Sequence, residues 1–189
     1  MFLQETHSTK SVEKLWQNEW GYKIIFSHGS SNNRGVCILF KNNLDLEIQK
    51  CYSDNYGRFV IADITAEGKK YTIVNLYGPN EHNPEFFCSI FCALKDFECE
   101  SLVIGGDFNC VLNPVVDKAG GRPDAKVNTR NKLLKLMEDN NLVDIWRLFY
   151  PDTRQYTWRS VKAIIQCRLE YFLVSQSMTG YTNCVSILS

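Results

Sequence analysis

Residues 101–109 read SLVIGGDFN, a short apolar run followed by two glycines and then Asp-Phe-Asn, with two polar side chains. An apolar run of this length predicts a buried strand over Ser101 to Gly106. The triplet Asp107-Phe108-Asn109 follows the strand directly, at a place where loops assemble functional groups. The stretch therefore predicts a core strand with a carboxylate and an amide at its end.

Similar runs of β-branched and aromatic residues recur elsewhere in the chain. These further predicted strands cover residues 35–41, 45–52, 59–66, 71–77, 154–159 and 168–174. The first two are predicted to form a hairpin around Asn42-Asn43. The next two are predicted to form a second hairpin around Glu67-Gly68-Lys69-Lys70, where the glycine permits positive φ.

Two segments show helical rather than strand-like spacing. Pro84 can open a helix, and apolar residues recur behind it at Phe86, Phe87, Ile90, Phe91 and Leu94. A second helix is predicted over Thr129 to Asn141, capped by Asn128 or Thr129, with one apolar face made by Leu133, Leu134 and Met137. Because strands outnumber helices, we expect an α/β fold with mixed sheets covered by helices.

Composition restricts the class of protein. The chain has 189 residues, 44% of them hydrophobic and 22% charged, which predicts one globular domain with a sizeable core. Its longest apolar runs are far shorter than the roughly 20 residues of a membrane-spanning helix. The N-terminal residues carry no secretory signal, so we expect an intracellular protein without a membrane segment.

The cysteines are predicted to be reduced thiols. There are 8 of them, without CxxC spacing or flanking histidines, so small buried apolar side chains are the preferred interpretation for most. Cys88 and Cys92 stand four residues apart on the predicted first helix, a spacing that permits a shared ligand. We expect them to be thiols beside Phe91 and not metal ligands.

The formal net charge of zero hides an uneven distribution. Residues 1–117 carry ten Lys and Arg against fifteen Asp and Glu, whereas residues 118–168 carry eleven against five. The second segment is suited to a polyanion. A solvated helix face with mixed charges is the alternative interpretation.

Polar side chains follow apolar strands at three places in the sequence. They are Glu5, Tyr77, and Asp107 with Asn109. Hard oxygen ligands of this kind suit Mg²⁺, which takes one or two carboxylates and keeps most of its waters. Each also has an ordinary alternative, since Glu5 can act as a cap or pair with a lysine, Tyr77 can be half-buried core, and Asp107 can start a turn.

Six short motifs occur in an order that resembles the endonuclease/exonuclease/phosphatase superfamily. The chain most resembles the apurinic-type endonuclease domain that opens the polyproteins of non-LTR retrotransposons. Those polyproteins are associated with reverse transcriptase. The resemblance covers nearly the whole chain. The motifs are FLQETH (2–7), NLYGPN (75–80), GGDFN (105–109), DIW (144–146), YTW (156–158) and RLEYFL (168–173).

The resemblance implies a four-layer α/β sandwich of the DNase I-like type, with two mixed sheets packed face to face and helices outside. It implies metal-dependent hydrolysis of a DNA phosphodiester with Mg²⁺ or Mn²⁺, and a nuclear protein. It implies neither a membrane nor an obligate protein partner.

The resemblance also assigns roles to individual positions. Glu5 matches a metal-binding glutamate, and Asp107 an aspartate that activates or orients the attacking water. Asn109 matches the asparagine that orients that water and the scissile phosphate, and Tyr77 matches the tyrosine near that phosphate. Contacts with phosphate or DNA are expected from Thr157, Asn75 and Arg159.

The chain departs from the resembled pattern in ways that predict weak or no activity. Family domains begin with an upstream strand bearing an asparagine and end with Ser-Asp-His, and residues 1–189 are expected to form a single domain without those segments. At Glu170 the family usually has an aspartate, and a displacement of that carboxylate by an ångström can cost about 10²-fold in rate. A noncatalytic nucleic-acid-binding remnant and a phosphatase of the same superfamily are the alternatives.

Overall fold

The computed structural model describes residues 1–41, 45–98, 100–122, 126–161, 164–182 and 184–187. Its strands are β1 (Phe2–Leu3), β2 (Ile24–Ser27), β3 (Val36–Leu39), β4 (Leu46–Ser53), β5 (Phe59–Ala66), β6 (Lys69–Tyr77), β7 (Leu102–Asp107), β8 (Lys118–Ala119), β9 (Leu142–Asp144), β10 (Trp158–Arg159), β11 (Gln166–Cys167) and β12 (Glu170–Ser175). Its α-helices are α1 (Glu13–Trp20), α2 (Pro84–Leu94), α3 (Val127–Asp139) and α4 (Ile145–Phe149).

The chain divides into two compact units. The N-terminal unit consists of Met1–Tyr77 and Ala93–Gly106, and the C-terminal unit of Gly78–Cys92 and Asp107–Ser189. The expectation of a single domain over residues 1–189 stays a prediction.

Two sheets pack face to face in the N-terminal unit. The first has the strand order β1-β3-β2, and the second contains the successive neighbours β4, β5, β6 and β7. Their shared core joins Ile25, Val36 and Ile38 to Val60 and Ile73. On the other face of the first sheet, Trp16 and Trp20 of α1 pack against the apolar side chains of that sheet. The continuous apolar character of β3 follows, because this strand is covered on both faces.

The two predicted hairpins had different outcomes. The hairpin around Glu67 and Gly68 is confirmed, since β5 and β6 pair in antiparallel register with Ala66 opposite Lys69. The hairpin predicted from 35–41 and 45–52 is wrong, because β3 and β4 belong to different sheets and β4 pairs with β5. Their burial explains the separation: every residue of β3 is buried, whereas most of β4 is exposed. Asn42 and Asn43 lie outside the described residues.

The C-terminal unit builds its core around the antiparallel pair β9 and β12. The helices α3 and α4 lie against these strands and contribute buried side chains, including Leu133, Met137 and Trp146. A small antiparallel sheet has the order β10-β11-β8. Of the strand predicted over 154–159, only Trp158–Arg159 forms. Residues 150–153, which precede the predicted strand, are bound by a side chain, since the guanidinium of Arg147 donates to the carbonyls of Tyr150, Pro151 and Thr153.

Both predicted helices form, but the second begins and packs differently. It starts at Val127, so the predicted cap by Asn128 or Thr129 is wrong. Thr129 is instead buried inside the first turn, where its Oγ1 accepts from the backbone N–H of Asn83. Leu134 is 40% exposed and does not share the buried face of Leu133 and Met137. The helix α1 has no counterpart among the predicted elements.

The seven described cysteines carry free thiols. Cys37, Cys110 and Cys167 are buried, as small apolar side chains would be, whereas Cys51, Cys92 and Cys184 are exposed. Burial raises the pKa of Cys37 to about 12, so this group stays a neutral thiol. Among the described residues, no helix is both long and apolar enough to cross a membrane.

Candidate active site

In the N-terminal unit, Glu5 and Tyr77 are joined by a hydrogen bond. The Tyr77 hydroxyl donates to Oε1 of Glu5 over 2.6 Å. Tyr77 ends β6 and is only 8% exposed, whereas Glu5 is exposed. Arg58, which the sequence did not single out, lies 5.4 Å from the centroid of the Tyr77 ring. The buried phenol thus fixes one oxygen of an otherwise solvent-facing carboxylate.

The segment that carries Glu5 has an unusual backbone. Glu5 and His7 adopt positive φ values of 51° and 50°, which cost energy in residues other than glycine and persist where the surroundings fix them. The two residues before β3 supply that support, because Thr6 and His7 donate their backbone N–H groups to the carbonyls of Gly35 and Arg34. The strained backbone therefore sets the direction of the Glu5 side chain.

Asn75 is buried below this segment with no exposed surface. Its Nδ2 donates to the carbonyls of Leu3 and Cys37, and its Oδ1 accepts from Gln4. These bonds tie β1 and β3 to β6. The structure thus places Asn75 behind the strand that leads to Glu5, where it determines the position of β1.

In the C-terminal unit, Asp107 and Asn109 share a tight turn at the end of β7. The backbone N–H of Asn109 donates to Oδ1 of Asp107, and Nδ2 of Asn109 donates to the carbonyl of Gly78 over 2.9 Å. Asn109 also has positive φ, 48°. Only glycine fits at position 78, since a Cβ there would stand 2.1 Å from the carbonyl oxygen of Phe108. Hydrogen bonds and the close approach of Gly78 therefore fix this turn.

Thr157 and Glu170 are brought together by the start of β12. The Thr157 hydroxyl oxygen accepts from the backbone N–H groups of Leu169 and Glu170. Partial burial raises the pKa of the Glu170 carboxyl, and its hydrogen bond with Thr157 opposes that shift. The carbonyl of Leu169 accepts from the N–H of Phe108, between Asp107 and Asn109. Four predicted site residues are therefore connected through one short segment.

A buried charge network that the sequence did not predict anchors this segment. Arg168 is 1% exposed and donates to both carboxylate oxygens of Asp117 and to Asp144. Burial lowers the pKa of Arg168, but its bonds with the two carboxylates outweigh that effect and hold the pKa above the usual value. Arg147 adds a second guanidinium to Asp117. Buried charges need such partners, so the network fixes the backbone beside Thr157 and Glu170.

Arg159 is exposed on β10, two residues beyond Thr157.

The predicted meeting of Glu5 and Tyr77 with Asp107 and Asn109 in one cleft stays a prediction. Within each unit, however, the residues that the sequence selected are held by hydrogen bonds of 2.6 to 3.2 Å.

The donor atoms of Glu5 suit a hard divalent cation. One carboxylate oxygen is engaged by Tyr77, and no described residue donates to the other. Mg²⁺ usually binds through one or two carboxylates and substrate phosphates and retains several waters, so Glu5 has the ligand chemistry that such an ion uses. Within the described ranges there is no cluster of three or more His, Cys, Asp or Glu that could enclose a metal ion.

A sequence model of the endonuclease/exonuclease/phosphatase family matches residues 1–185. The chain belongs to this family. A 149 kDa uncharacterized protein of transposon TX1 from Xenopus laevis is 30% identical to it over 192 residues, which cover 98% of this chain and 14% of that protein. This endonuclease/exonuclease/phosphatase chain therefore spans about a seventh of the relative's length.

Solved structures resemble this family member in fold. The AP endonuclease LMAP from Leishmania major matches with a TM-score of 0.78 and 18% identity, over 95% of this chain and 70% of that one. The endonuclease domain of TRAS1, a telomere-specific non-LTR retrotransposon, matches with a TM-score of 0.61 and 14% identity, over 85% and 69%. The predicted fold class, an α/β sandwich of the DNase I-like type, is confirmed by these likenesses. The match of the family model confirms the predicted family.

Proposed function

We propose that this domain hydrolyses phosphodiester bonds of DNA and nicks one strand, with a divalent metal ion as cofactor. The observation that carries the proposal is the turn at the end of β7, where the Asp107 carboxylate accepts from the backbone N–H of Asn109 and the side-chain amide of Asn109 is held by the Gly78 carbonyl. In water attack on a phosphodiester, a carboxylate can accept the proton of the water and an amide can donate to the phosphate.

Each residue then has a definite task. Asp107 accepts a proton from the attacking water, whose oxygen bonds to phosphorus as the bond to the leaving oxygen breaks, and the leaving oxygen takes a proton from solvent. Asn109 donates its amide to the phosphate and holds it in line for the attack. Thr157 and Arg159 bind the DNA backbone, and Asn75 acts indirectly by fixing the position of β1.

The metal ion belongs with Glu5, whose orientation Tyr77 fixes. When bound, Mg²⁺ or Mn²⁺ neutralises the charge that grows on the phosphate oxygens. Glu170 takes the place of the aspartate that the resemblance implies, and we therefore propose a slow enzyme. Because its proposed substrate is chromosomal DNA, the domain would act in the nucleus. It would do so as part of a longer transposon protein associated with reverse transcriptase.

Supercoiled plasmid tests the proposal directly. We expect slow conversion to open circles with Mg²⁺ or Mn²⁺, none with EDTA, and none for Asp107→Ala. Asp139→Ala is the matched control, because this aspartate is exposed on α3 and paired only with a surface lysine among the described contacts. Nicking that continues in EDTA would contradict the role of the metal.

A DNA-binding domain without cleavage is the second candidate, and the replacement at Glu170 together with the exposed basic residues of α3 favours it. Binding of the plasmid without nicking under every metal condition would establish this candidate. Release of inorganic phosphate from a 3′-phosphorylated hairpin, without nicking, would instead point to a phosphatase.

A further inference from the structure

Lys126 occupies a position that helices disfavour for lysine. It is the N-cap residue of α3 and makes no capping hydrogen bond with its side chain. Lysine cannot accept from the free N–H groups of a first turn, and its positive charge opposes the helix dipole. A residue that breaks a local rule in this way points to a requirement elsewhere in the structure.

The ammonium group of Lys126 binds the turn that carries Asn109. Its Nζ donates to the carbonyl of Asn109 over 2.7 Å and to the carbonyl of Pro79 over 3.0 Å. Gly78, which precedes Pro79, donates its N–H to the carbonyl of Asp107 and accepts from the Asn109 amide. Lys126 therefore closes a set of bonds that runs through both proposed catalytic residues.

The helix start holds Lys126 in place from the other side. Thr129 is 4% exposed, and its hydroxyl contacts Nδ1 of His82 and the N–H of Asn83. These contacts dock the first turn of α3 on the segment that follows Pro79. The position of the ammonium is thus set by packing and not by a flexible side chain alone.

We propose that Lys126 is a positioning residue for Asn109, and that it holds the left-handed backbone of Asn109 against the Gly78-Pro79 segment. The inference rests on the proposed function, in which the Asn109 amide orients the phosphate. Asn109 has a φ of 48°, a conformation that persists only where neighbours fix it. Without the ammonium, two carbonyls lose their donor and the amide loses its fixed direction.

The position of Lys126 distinguishes it from the other lysines of the basic segment. Lys132 is exposed on α3 and is the matched control for a lysine that could contact only the DNA backbone. Removing a phosphate contact weakens DNA binding and lowers the number of counterions released on binding by about one. Removing a positioning contact lowers the rate of the bound complex instead.

The test compares Lys126→Met, Lys126→Gln, Lys126→Arg and Lys132→Met by two measurements. The first is the NMR resonance of the Asn109 side-chain amide, assigned by its disappearance in Asn109→Asp. The second is plasmid nicking, analysed as kcat and KM at several salt concentrations. Circular-dichroism melting checks that each variant is folded, and Lys126→Gln replaces Lys126→Met if the latter does not fold.

We expect Lys126→Met to shift the Asn109 amide resonance and to lower kcat about 10- to 100-fold, with KM within about twofold. Lys126→Arg should restore most of the original amide resonance position and most of kcat. Lys132→Met should change neither the amide resonance nor kcat. An unmoved amide in Lys126→Met overturns the inference, and so does a change in KM and salt dependence alone. If the unmodified chain does not nick DNA, the proposed function fails, while the amide shift still decides the role of Lys126.

Discussion

The surroundings of Glu5 and those of Asp107 are held by different means. Glu5 depends on one hydrogen bond from Tyr77 and on a strained loop, and its carboxylate is exposed. Asp107 belongs to a turn whose backbone is bonded to Gly78 and, through Phe108, to the start of β12. The difference suits the proposed tasks, because a metal ligand can adapt to its ion whereas a base and a phosphate donor must be fixed.

The largest expected effect is that of Asp107→Ala, which removes the proposed general base. We expect the nicking rate to fall by about 10²- to 10⁴-fold, the range that proton transfer contributes. Plasmid nicking with Mg²⁺ measures it, with Asp139→Ala as control. Equal rates for Asp107→Ala and the unmodified chain would mean that the turn has no catalytic task.

Arg168→Met tests whether the support behind the fixed turn is essential. It leaves Asp117 and Asp144 buried with fewer partners, and such losses typically cost about 3 to 5 kcal/mol. Urea unfolding measures the loss of free energy of unfolding. Lys135→Met breaks an exposed pair with Asp139 and should cost under about 0.5 kcal/mol. A similar small cost for Arg168→Met would show that the network is not what stabilises this region.

Glu170→Asp moves the fixed region toward the pattern that the resemblance implies. The shorter side chain moves the carboxylate by more than an ångström, and we expect nicking to rise by up to about 10²-fold. Asp139→Glu, an equally small change on the exposed face of α3, is the control. A lower rate for Glu170→Asp would indicate that the site is built around the longer side chain.

Tyr77→Phe tests the surroundings of Glu5, the region whose carboxylate is held less tightly. It retains the buried ring and removes the hydroxyl that orients Glu5, so we expect about a tenfold lower nicking rate, the lower range for hydrogen bonds to charged groups. Tyr71→Phe on the same strand is the control. If Tyr77→Phe leaves both the rate and the dependence on Mn²⁺ concentration unchanged, the orientation of Glu5 does not depend on the phenol.

The smallest effect is the pH dependence that Glu170 contributes to stability. Burial raises the pKa of this carboxyl, so its folded state binds the proton more strongly than the unfolded state and loses relative stability as pH rises through that pKa. Glu170→Gln removes this loss of stability at higher pH, because glutamine does not ionise. Its stability relative to the unmodified chain should therefore increase between pH 4 and pH 7 in urea unfolding. A difference that is constant with pH would contradict the raised pKa.

Local patterns predicted the elements that depend on neighbouring residues. The Glu67-Gly68 turn joins β5 and β6 because glycine supplies positive φ, and Pro84 opens α2 because its fixed φ suits a first turn. Pairings between distant segments were not predictable in this way. The separation of β3 from β4 and the buried position of Thr129 both follow from contacts across long stretches of sequence.

The sequence by itself determined the family, the fold class and the types of side chain available for chemistry, since its motifs place carboxylate, amide and hydroxyl groups at strand ends. Only the tertiary structure decided which groups support them. Arg58 lies over Tyr77, Lys126 binds the carbonyl of Asn109, and Arg168 joins Asp117 to Asp144. Strand periodicity and turn chemistry are local properties, whereas these contacts join residues 17 to 51 positions apart and exist only once the core has packed.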